Sequence, residues 1–258
     1  MFSEHLNVVF NKMIRLYNIL IQNKLLNAQG KGFYFCSRAK LSMKVPVILS
    51  FLIITSLNAS FGQNAYFKLG QQAFFDGDFK AAVSHLERSC IIDSTNASAL
   101  WMLGYSYYHS EDYKKSIQAY NKVIALKPAD GSAYYYRARA KSYLAKELQL
   151  SDADKEKYLL GAIVDFTKAI AVDPTDTQNN TKFYQNRGIA YREYGDFKIQ
   201  PNTKFYDKNR GINSLRAAIV DFDKVLADNP NRQDIASLKD QVKSKLAIAT
   251  AANAIVRH

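Results

Sequence analysis

The amino-acid sequence superimposes on itself at a shift of 34 residues. A fixed period of this length predicts a stack of small units, none of which can bury its apolar faces alone. Because such stacks present a continuous concave surface, the period also indicates binding along that surface. The matching positions are Leu69-Gly70 with Leu103-Gly104, Phe79 with Tyr113, Ala82 with Ser116, and Leu86 with Tyr120.

The clearest unit runs from Ala97 to Pro128 and has the pattern of two helices joined by a short break. Its first half places apolar side chains on one helix face, and Gly104 leaves room there for a neighbouring helix. Polar residues at 110–112 interrupt the pattern, and a second apolar stripe follows. Pro128 ends the second helix because proline lacks the N–H group and disfavours helical geometry in the residue before it.

This pattern resembles the tetratricopeptide repeat family, whose first helix carries a bulky residue, Leu, a small residue and Tyr at fixed places. The second helix of that family carries small residues around an aromatic one and closes at Pro. The resemblance implies an all-α fold, a right-handed α-solenoid of about four helix-turn-helix units. The units are 63–96, 97–130, 131–176 and 181–230, and the last two contain insertions near 145–156 and 198–215.

The third and fourth units share the string Ala-Ile-Val-Asp-Phe, which occurs at 162–166 and again at 218–222. An ordinary helical bundle also shows apolar residues at helical spacing, but the duplicated string and the constant shift favour a repeat array. Arg137 and Lys141 replace the usual Leu and Tyr, so the first helix is the half of the third unit that matches the pattern less well.

The two insertions either shape a binding face or are tolerated surface loops. In the first one, Ser151 and the acids after it predict a helix start rather than a calcium loop, because the glycine and the further ligands of an EF-hand are missing. The amphipathic segment that begins at Gln233 predicts a capping helix over 231–258, since a stack needs a polar outer face at its end.

Residues 43–62 have the pattern of a secretory signal: a short positive start, an apolar stretch, and small residues that allow cleavage before Gln63. The ending of this signal resembles those of Bacteroidota-type bacteria. We therefore expect an exported protein, periplasmic or extracellular. The alternative is a membrane anchor over 45–67, because the uncharged run extends to Phe67.

Residues 1–42 precede that signal and have two interpretations. Either Met43 is the true start and the prefix is an over-extended reading, or residues 6–21 form an amphipathic helix that rests on an anionic membrane. Neither interpretation makes the prefix part of the repeat array.

The formal net charge of +12 is concentrated in part in the prefix, since residues 1–44 contain seven basic side chains and one acidic one. The remaining excess is mild and does not indicate nucleic-acid binding. Cys90 is the only cysteine after the signal, so we expect a small buried thiol and no internal disulfide.

In the tetratricopeptide family the first helix of each unit lines the inner surface. When the inner positions of the family are transferred to this sequence, they imply a groove with an aromatic centre and a basic far end. Such a groove suits an extended peptide or a partner helix. Trp101 and Tyr105 are the expected anchors. The carboxylate clamp found in one variant of the family is absent, because its places hold other residue types, namely Phe67, Gln71, Met102, Ser132 and Tyr136. The expected groove residues are Phe67, Gln71, Phe74, Trp101, Tyr105, Tyr108, Tyr135, Arg139, Lys182, Gln185 and Arg192.

The sequence predicts no catalytic residues, no metal site and no cofactor, because His85 and His109 stand on different units without a nucleophile or metal-ligand partner. The first functional hypothesis is a non-enzymatic protein-interaction adaptor of the cell envelope that binds a protein or peptide. The alternative is a membrane-tethered structural spacer, which would contact the membrane through an uncleaved N-terminal segment. An enzyme is disfavoured.

Overall fold

A computed structural model of the chain describes residues 65–172, 174–201 and 203–251, without the side chain of Thr177. The predicted prefix (1–42) and signal (43–62) lie outside the described residues. Within those ranges the chain forms nine helices and no strand, which confirms the predicted all-α solenoid. The helices are α1 (65–75), α2 (Phe79–Ile92), α3 (Ala97–His109), α4 (Tyr113–Leu126), α5 (Gly131–Leu144), α6 (Asp152–Val172), α7 (Thr177–Lys198), α8 (Lys208–Asp228) and α9 (Gln233–Ala251).

Short polar side chains start most of these helices. The side chain of the residue before the helix accepts a hydrogen bond from the backbone N–H three residues later, which satisfies a donor that has no partner inside the helix. In the first insertion, Ser151 Oγ accepts from the Asp154 N–H at 3.1 Å, as the sequence predicts. The other caps are Asp78, Asn96, Asp112, Asp130, Asp176 and Asp207.

Successive helices from α2 onward pack against each other, with short turns that reverse the chain between them. Each unit therefore consists of a first helix (α1, α3, α5, α7) and a second helix (α2, α4, α6, α8). The first helices of neighbouring units also touch directly, α3 with α5 and α5 with α7. The first helices thus form an inner layer, and α9 follows the last unit.

The apolar core consists of clusters that each join one unit to the next. Tyr120 is fully buried in the second unit and packs with Ala133 of the third. Phe166 of the third unit packs with Phe183 of the fourth. A Cβ atom on Gly104 would lie only 3.0 Å from the Tyr120 ring, which confirms that glycine permits the close approach of these two helices.

The far end of the stack is covered by α9. Ile235 and Val242 are fully buried against Phe222 and Val225 of the last unit. The opposite end differs, because Leu69 is 51% exposed whereas its repeat partner Leu103 is 6% exposed. Leu103 packs against the second helix of the unit before it, and Leu69 belongs to the first unit of the described chain.

Arg137 and Lys141, which replace the usual Leu and Tyr of the third unit, both form ion pairs with the buried carboxylate of Asp165. Arg137 donates two parallel hydrogen bonds to Asp165, from Nε at 2.8 Å and from Nη2 at 2.6 Å. Lys141 Nζ donates to the same carboxylate at 2.7 Å. The place of Arg137 in the repeat pattern shows only that the usual Leu is missing, whereas its ion pair with the Asp of the repeated string depends on a residue 28 positions later.

The fourth unit repeats this arrangement. Arg187 donates to both oxygens of Asp221 at 2.8 Å, and Asp221 is 1% exposed. The remaining nitrogen of each guanidinium reaches the second helix of the preceding unit, from Arg137 to Asn121 at 2.7 Å and from Arg187 to Thr167 at 3.2 Å. Each Arg therefore ties two successive units together.

The two insertions mainly lengthen helices. Helices α6, α7 and α8 have 21, 22 and 21 residues, whereas α2 and α4 have 14. The loops that remain, 145–151 and 199–207, are shorter than the predicted insertions. Helix α7 begins at Thr177, whereas the fourth unit was predicted to open near Thr181. The extensions contact each other, because Lys198 Nζ donates to Glu156 Oε1 at 3.1 Å.

Asp221→Asn tests the repeated ion pair. The variant removes the carboxylate and leaves the guanidinium of Arg187 buried without an ionic partner, so we expect the free energy of unfolding to fall by about 3 kcal/mol in urea denaturation. The matched control is Asp223→Asn on the same helix, whose half-exposed carboxylate pairs with Lys239. An ion pair this exposed contributes less than about 1 kcal/mol to the free energy of unfolding. Equal losses in the two variants would contradict a special role for Asp221.

Candidate binding groove

Aromatic side chains from three successive first helices meet on the inner layer. We call this set, Phe74 of α1, Trp101 and Tyr105 of α3, and Tyr136 of α5, the inner aromatic surface. The ring centroids of Phe74 and Tyr105 are 5.2 Å apart, those of Trp101 and Tyr105 are 5.5 Å apart and stacked, and those of Tyr105 and Tyr136 are 5.0 Å apart. All four side chains are partly exposed. The surface is continuous across the first three units.

Trp101 is held in one orientation by a hydrogen-bond chain to the next unit. Its Nε1 donates to Ser132 Oγ at 2.9 Å, and Ser132 Oγ donates to Asp130 Oδ1 at 2.6 Å. The only polar group of the indole is therefore satisfied inside the protein, and the exposed part of the ring can contact a ligand through its apolar surface. Ser132 stands at a clamp position in the sequence, and its contact with Trp101 was not predicted from it.

A cleft of about 590 Å³ adjoins the inner aromatic surface. It lies where α3, α5, α6 and α7 come together, and Trp101 and Tyr136 form part of its wall. Lys182 and Asp176 bring one positive and one negative charge to it. Hydrogen bonds from Asn179 lower the pKa of Asp176, which therefore stays ionised at neutral pH. The other lining residues are Ala129, Gly131, Ser132, Tyr135, Ala169, Val172, Asn179 and Phe183.

Arg139 lies in the middle of α5 among tyrosine rings. Its guanidinium carbon is 4.9 Å from the ring centroid of Tyr108, 5.6 Å from that of Tyr135 and 6.0 Å from that of Tyr136. Burial raises the pKa of Tyr136 to about 12, against the opposing charge of Arg139. The hydrogen bond from Tyr108 lowers the pKa of Tyr143, and Arg139 adds to this lowering.

The structure brings most of the expected groove residues together. Phe74, Trp101, Tyr105, Tyr108, Tyr135 and Arg139 form one connected set of ring contacts through Tyr136. Tyr108 and Tyr135 are 6% and 8% exposed, so they support Arg139 and offer little surface to a ligand. Tyr136 was missed as a groove residue, although it stands one helical turn before Arg139 on the same face.

The other expected residues are not part of this set of ring contacts. Phe67 packs into the core between the first two units. Gln185 Oε1 accepts a hydrogen bond from Arg232 Nη2 at 3.1 Å, and Arg192 lies 3.8 Å from Glu193. Gln71 is partly exposed on α1, and Lys182 is exposed at the cleft. The expected basic far end is thus partly occupied by contacts within the chain.

Comparisons with known proteins agree with this fold. Residues 97–130 match the family model described as Tetratricopeptide repeat. The chain carries a tetratricopeptide repeat at this position. Among solved structures, MamA MSR-1 C2 has a TM-score of 0.54 at 15% identity and covers 74% of this chain and 90% of its own. The C-terminal part of a TPR repeat-containing protein from Cytophaga hutchinsonii has a TM-score of 0.50 at 19% identity, with 69% and 60% covered. Because fewer than a fifth of the aligned residues are identical in each case, the similarity to these structures concerns the fold alone.

Two curated relatives match a shorter part of the chain. They are DnaJ homolog subfamily C member 7 from Homo sapiens and from Mus musculus, each 32% identical over 99 residues. The match covers 38% of this chain and 20% of each relative, so the chain spans about a fifth of the length of these relatives. Among the described helices, none has both the length and the apolar character that a membrane span requires.

The pKa of His109 reports on the electrostatics of the groove. His109 lies against Phe79 and Tyr105, with ring centroids 4.6 and 4.3 Å away, and burial and then Arg139 lower its pKa from 6.5. We expect its NMR titration midpoint below 6.5 in the folded chain and closer to 6.5 in Arg139→Gln. Because the unfolded chain takes up this proton first, His109 lowers stability as the pH falls through 6.5 toward the folded-state pKa. An unchanged midpoint in Arg139→Gln, relative to the exposed control Arg88→Gln, would contradict this arrangement.

Proposed function

We propose that this chain is a non-enzymatic protein-interaction adaptor of the cell envelope, which binds a partner peptide or helix along the inner aromatic surface. The observation that carries the proposal is the continuous contact of partly exposed rings from three successive first helices. Tryptophan, tyrosine and arginine supply most of the binding energy in protein interfaces, because they offer large contact areas and directed hydrogen bonds.

The surface is arranged before a partner arrives. Trp101 is fixed by Ser132 and stacks on Tyr105, so little side-chain entropy is lost when a ligand covers these rings. A surface that runs across successive units favours an extended or helical segment over a compact small molecule. The cleft beside Lys182 offers a place for one larger side chain of such a segment.

The chemistry of the inner layer suits binding. Indole and phenol rings offer contact area, and a guanidinium group and an ammonium group offer hydrogen-bond donors that can orient a ligand. The tetratricopeptide repeat found at 97–130 typically serves as a non-enzymatic interaction scaffold. The class of partner that we propose is a protein or peptide.

The envelope location rests on the predicted signal at 43–62. Sequencing the N-terminus of the protein isolated from its host tests this part of the proposal. A mature chain that starts at Gln63 would support export to the periplasm or beyond. A chain that keeps residues 45–67 would instead support the membrane-tethered spacer.

Photo-crosslinking tests which face binds the partner. A photoreactive amino acid at Lys182 in the cleft should trap a partner in the native host, whereas one at Val164 or Val220 should not. These two valines are 56% and 55% exposed on the second helices α6 and α8, so they report on the outer layer equally well. Adducts formed only from the valines would contradict binding on the inner layer.

The double variant Trp101→Ala with Tyr105→Ala provides the second half of this test. Because it removes the centre of the inner aromatic surface, we expect the adduct at Lys182 to disappear while the helical content measured by circular dichroism stays unchanged. Full retention of the adduct would show that the partner does not contact these rings.

A further inference from the structure

Three arginines of the inner layer lie against tyrosine rings, and they differ in one respect. Arg137 lies 5.5 Å from the Tyr134 ring, and Arg187 lies 5.3 Å from the Tyr184 ring and 5.8 Å from the Tyr191 ring. Each of the two holds a buried aspartate through two hydrogen bonds. Arg139 is over three rings, but no carboxylate of the described residues forms an ion pair with it. Arg139 therefore has tyrosine rings around it, as Arg137 and Arg187 do, but the described part of the chain offers it no counterpart of their aspartates.

A guanidinium group out of water needs compensation for the hydration that it loses. Ring faces supply part of it, and phenol oxygens accept some of the five N–H donors. The groups that interact most strongly with Arg139 are the phenols of Tyr108, Tyr135 and Tyr143, and its charge also lowers the pKa of His109. None of these neighbours is a carboxylate, so no acidic side chain of the described residues pairs with the positive charge of Arg139.

We propose that Arg139 binds a carboxylate on an acidic side chain of the partner segment, in the way that Arg137 and Arg187 bind Asp165 and Asp221 within the chain. This inference rests on the proposed function and adds the chemistry of the partner. A bidentate Arg–carboxylate pair would satisfy the charge and fix the register of the segment.

An internal acidic side chain fits better than a chain end, because ligand-binding surface continues on both sides of Arg139. Toward the fourth unit lies the cleft with Lys182. On the other side, the rings of Tyr113 and Tyr143 stack at 5.2 Å, and Tyr143 is 42% exposed. A segment that crosses Arg139 therefore has protein to contact before and after its acidic residue.

This position differs from the carboxylate clamp of the family. The clamp places of the third unit hold Ser132, which binds Trp101, and Tyr136, which is part of the inner aromatic surface. Arg139 lies one turn further along α5. The proposed site therefore follows from the contacts of this chain and not from the family pattern.

Selection of short linear peptides from a displayed random library against the full chain tests the inference. Trp101 is the only tryptophan of the chain, so its fluorescence reports whether a selected peptide occupies the inner aromatic surface. We expect an Asp or Glu at one position of the selected peptides. Replacing that residue with Asn or Gln should weaken binding about tenfold or more, because a hydrogen-bonded charge pair is lost.

Arg139→Gln should cause the same loss, and the two changes together should cause no further loss, as a double-mutant cycle requires for a direct pair. The matched control is Arg88→Gln, which removes an exposed arginine over the Tyr66 ring and changes the net charge equally. It should bind the peptides as the parent chain does. The amide substitution in the peptide needs no protein variant, so the test does not depend on how Arg139→Gln folds.

The outcomes separate this inference from the function on which it rests. Peptides that change the Trp101 fluorescence but show no acidic preference, or that bind Arg139→Gln at full affinity, would overturn the carboxylate site and leave the groove intact. A selection that returns no peptide able to change this fluorescence would overturn both.

Discussion

The structure depends on burial of apolar side chains between neighbouring units. Tyr120, Phe166 and Phe222 occupy the same place in three successive second helices, and each is at most 1% exposed. The small residue opposite each of them, Gly104 or its counterparts Ala138 and Gly188, lets the first helix approach the ring. Tyr120 and Phe166 are covered by their own first helix and by the next unit, and Phe222 is covered by its own first helix and by α9. The stability of each unit therefore depends on its neighbours.

The buried Arg–Asp pairs add directionality to this apolar packing. Asp165 and Asp221 each orient one guanidinium, and that guanidinium also reaches the second helix of the preceding unit. An apolar residue at the same place would pack without such a fixed partner. The pairs thus link the last three units, in which Tyr136 of the third unit lies beside Trp101 of the second.

The period and the terminators were enough to predict the helices, because they reflect local geometry and the need to stack. Contacts between side chains far apart in sequence were not predictable in the same way. Arg137 was judged by its own position, whereas its role depends on Asp165, 28 residues later. Ser132 was judged as a ligand position, whereas it binds Trp101. Leu69 matched Leu103 in sequence but not in burial, because burial depends on the preceding unit.

Hydrogen exchange of each helix, compared between the parent chain and Phe222→Leu, tests neighbour-to-neighbour stability most directly. Phe222 is fully buried between the fourth unit and α9. The account predicts faster exchange in α7, α8 and α9, and unchanged protection in α2, α3 and α4, because a cavity in the fourth unit does not reach the first units. A uniform increase from α2 to α9 would contradict it and would indicate a single cooperative core.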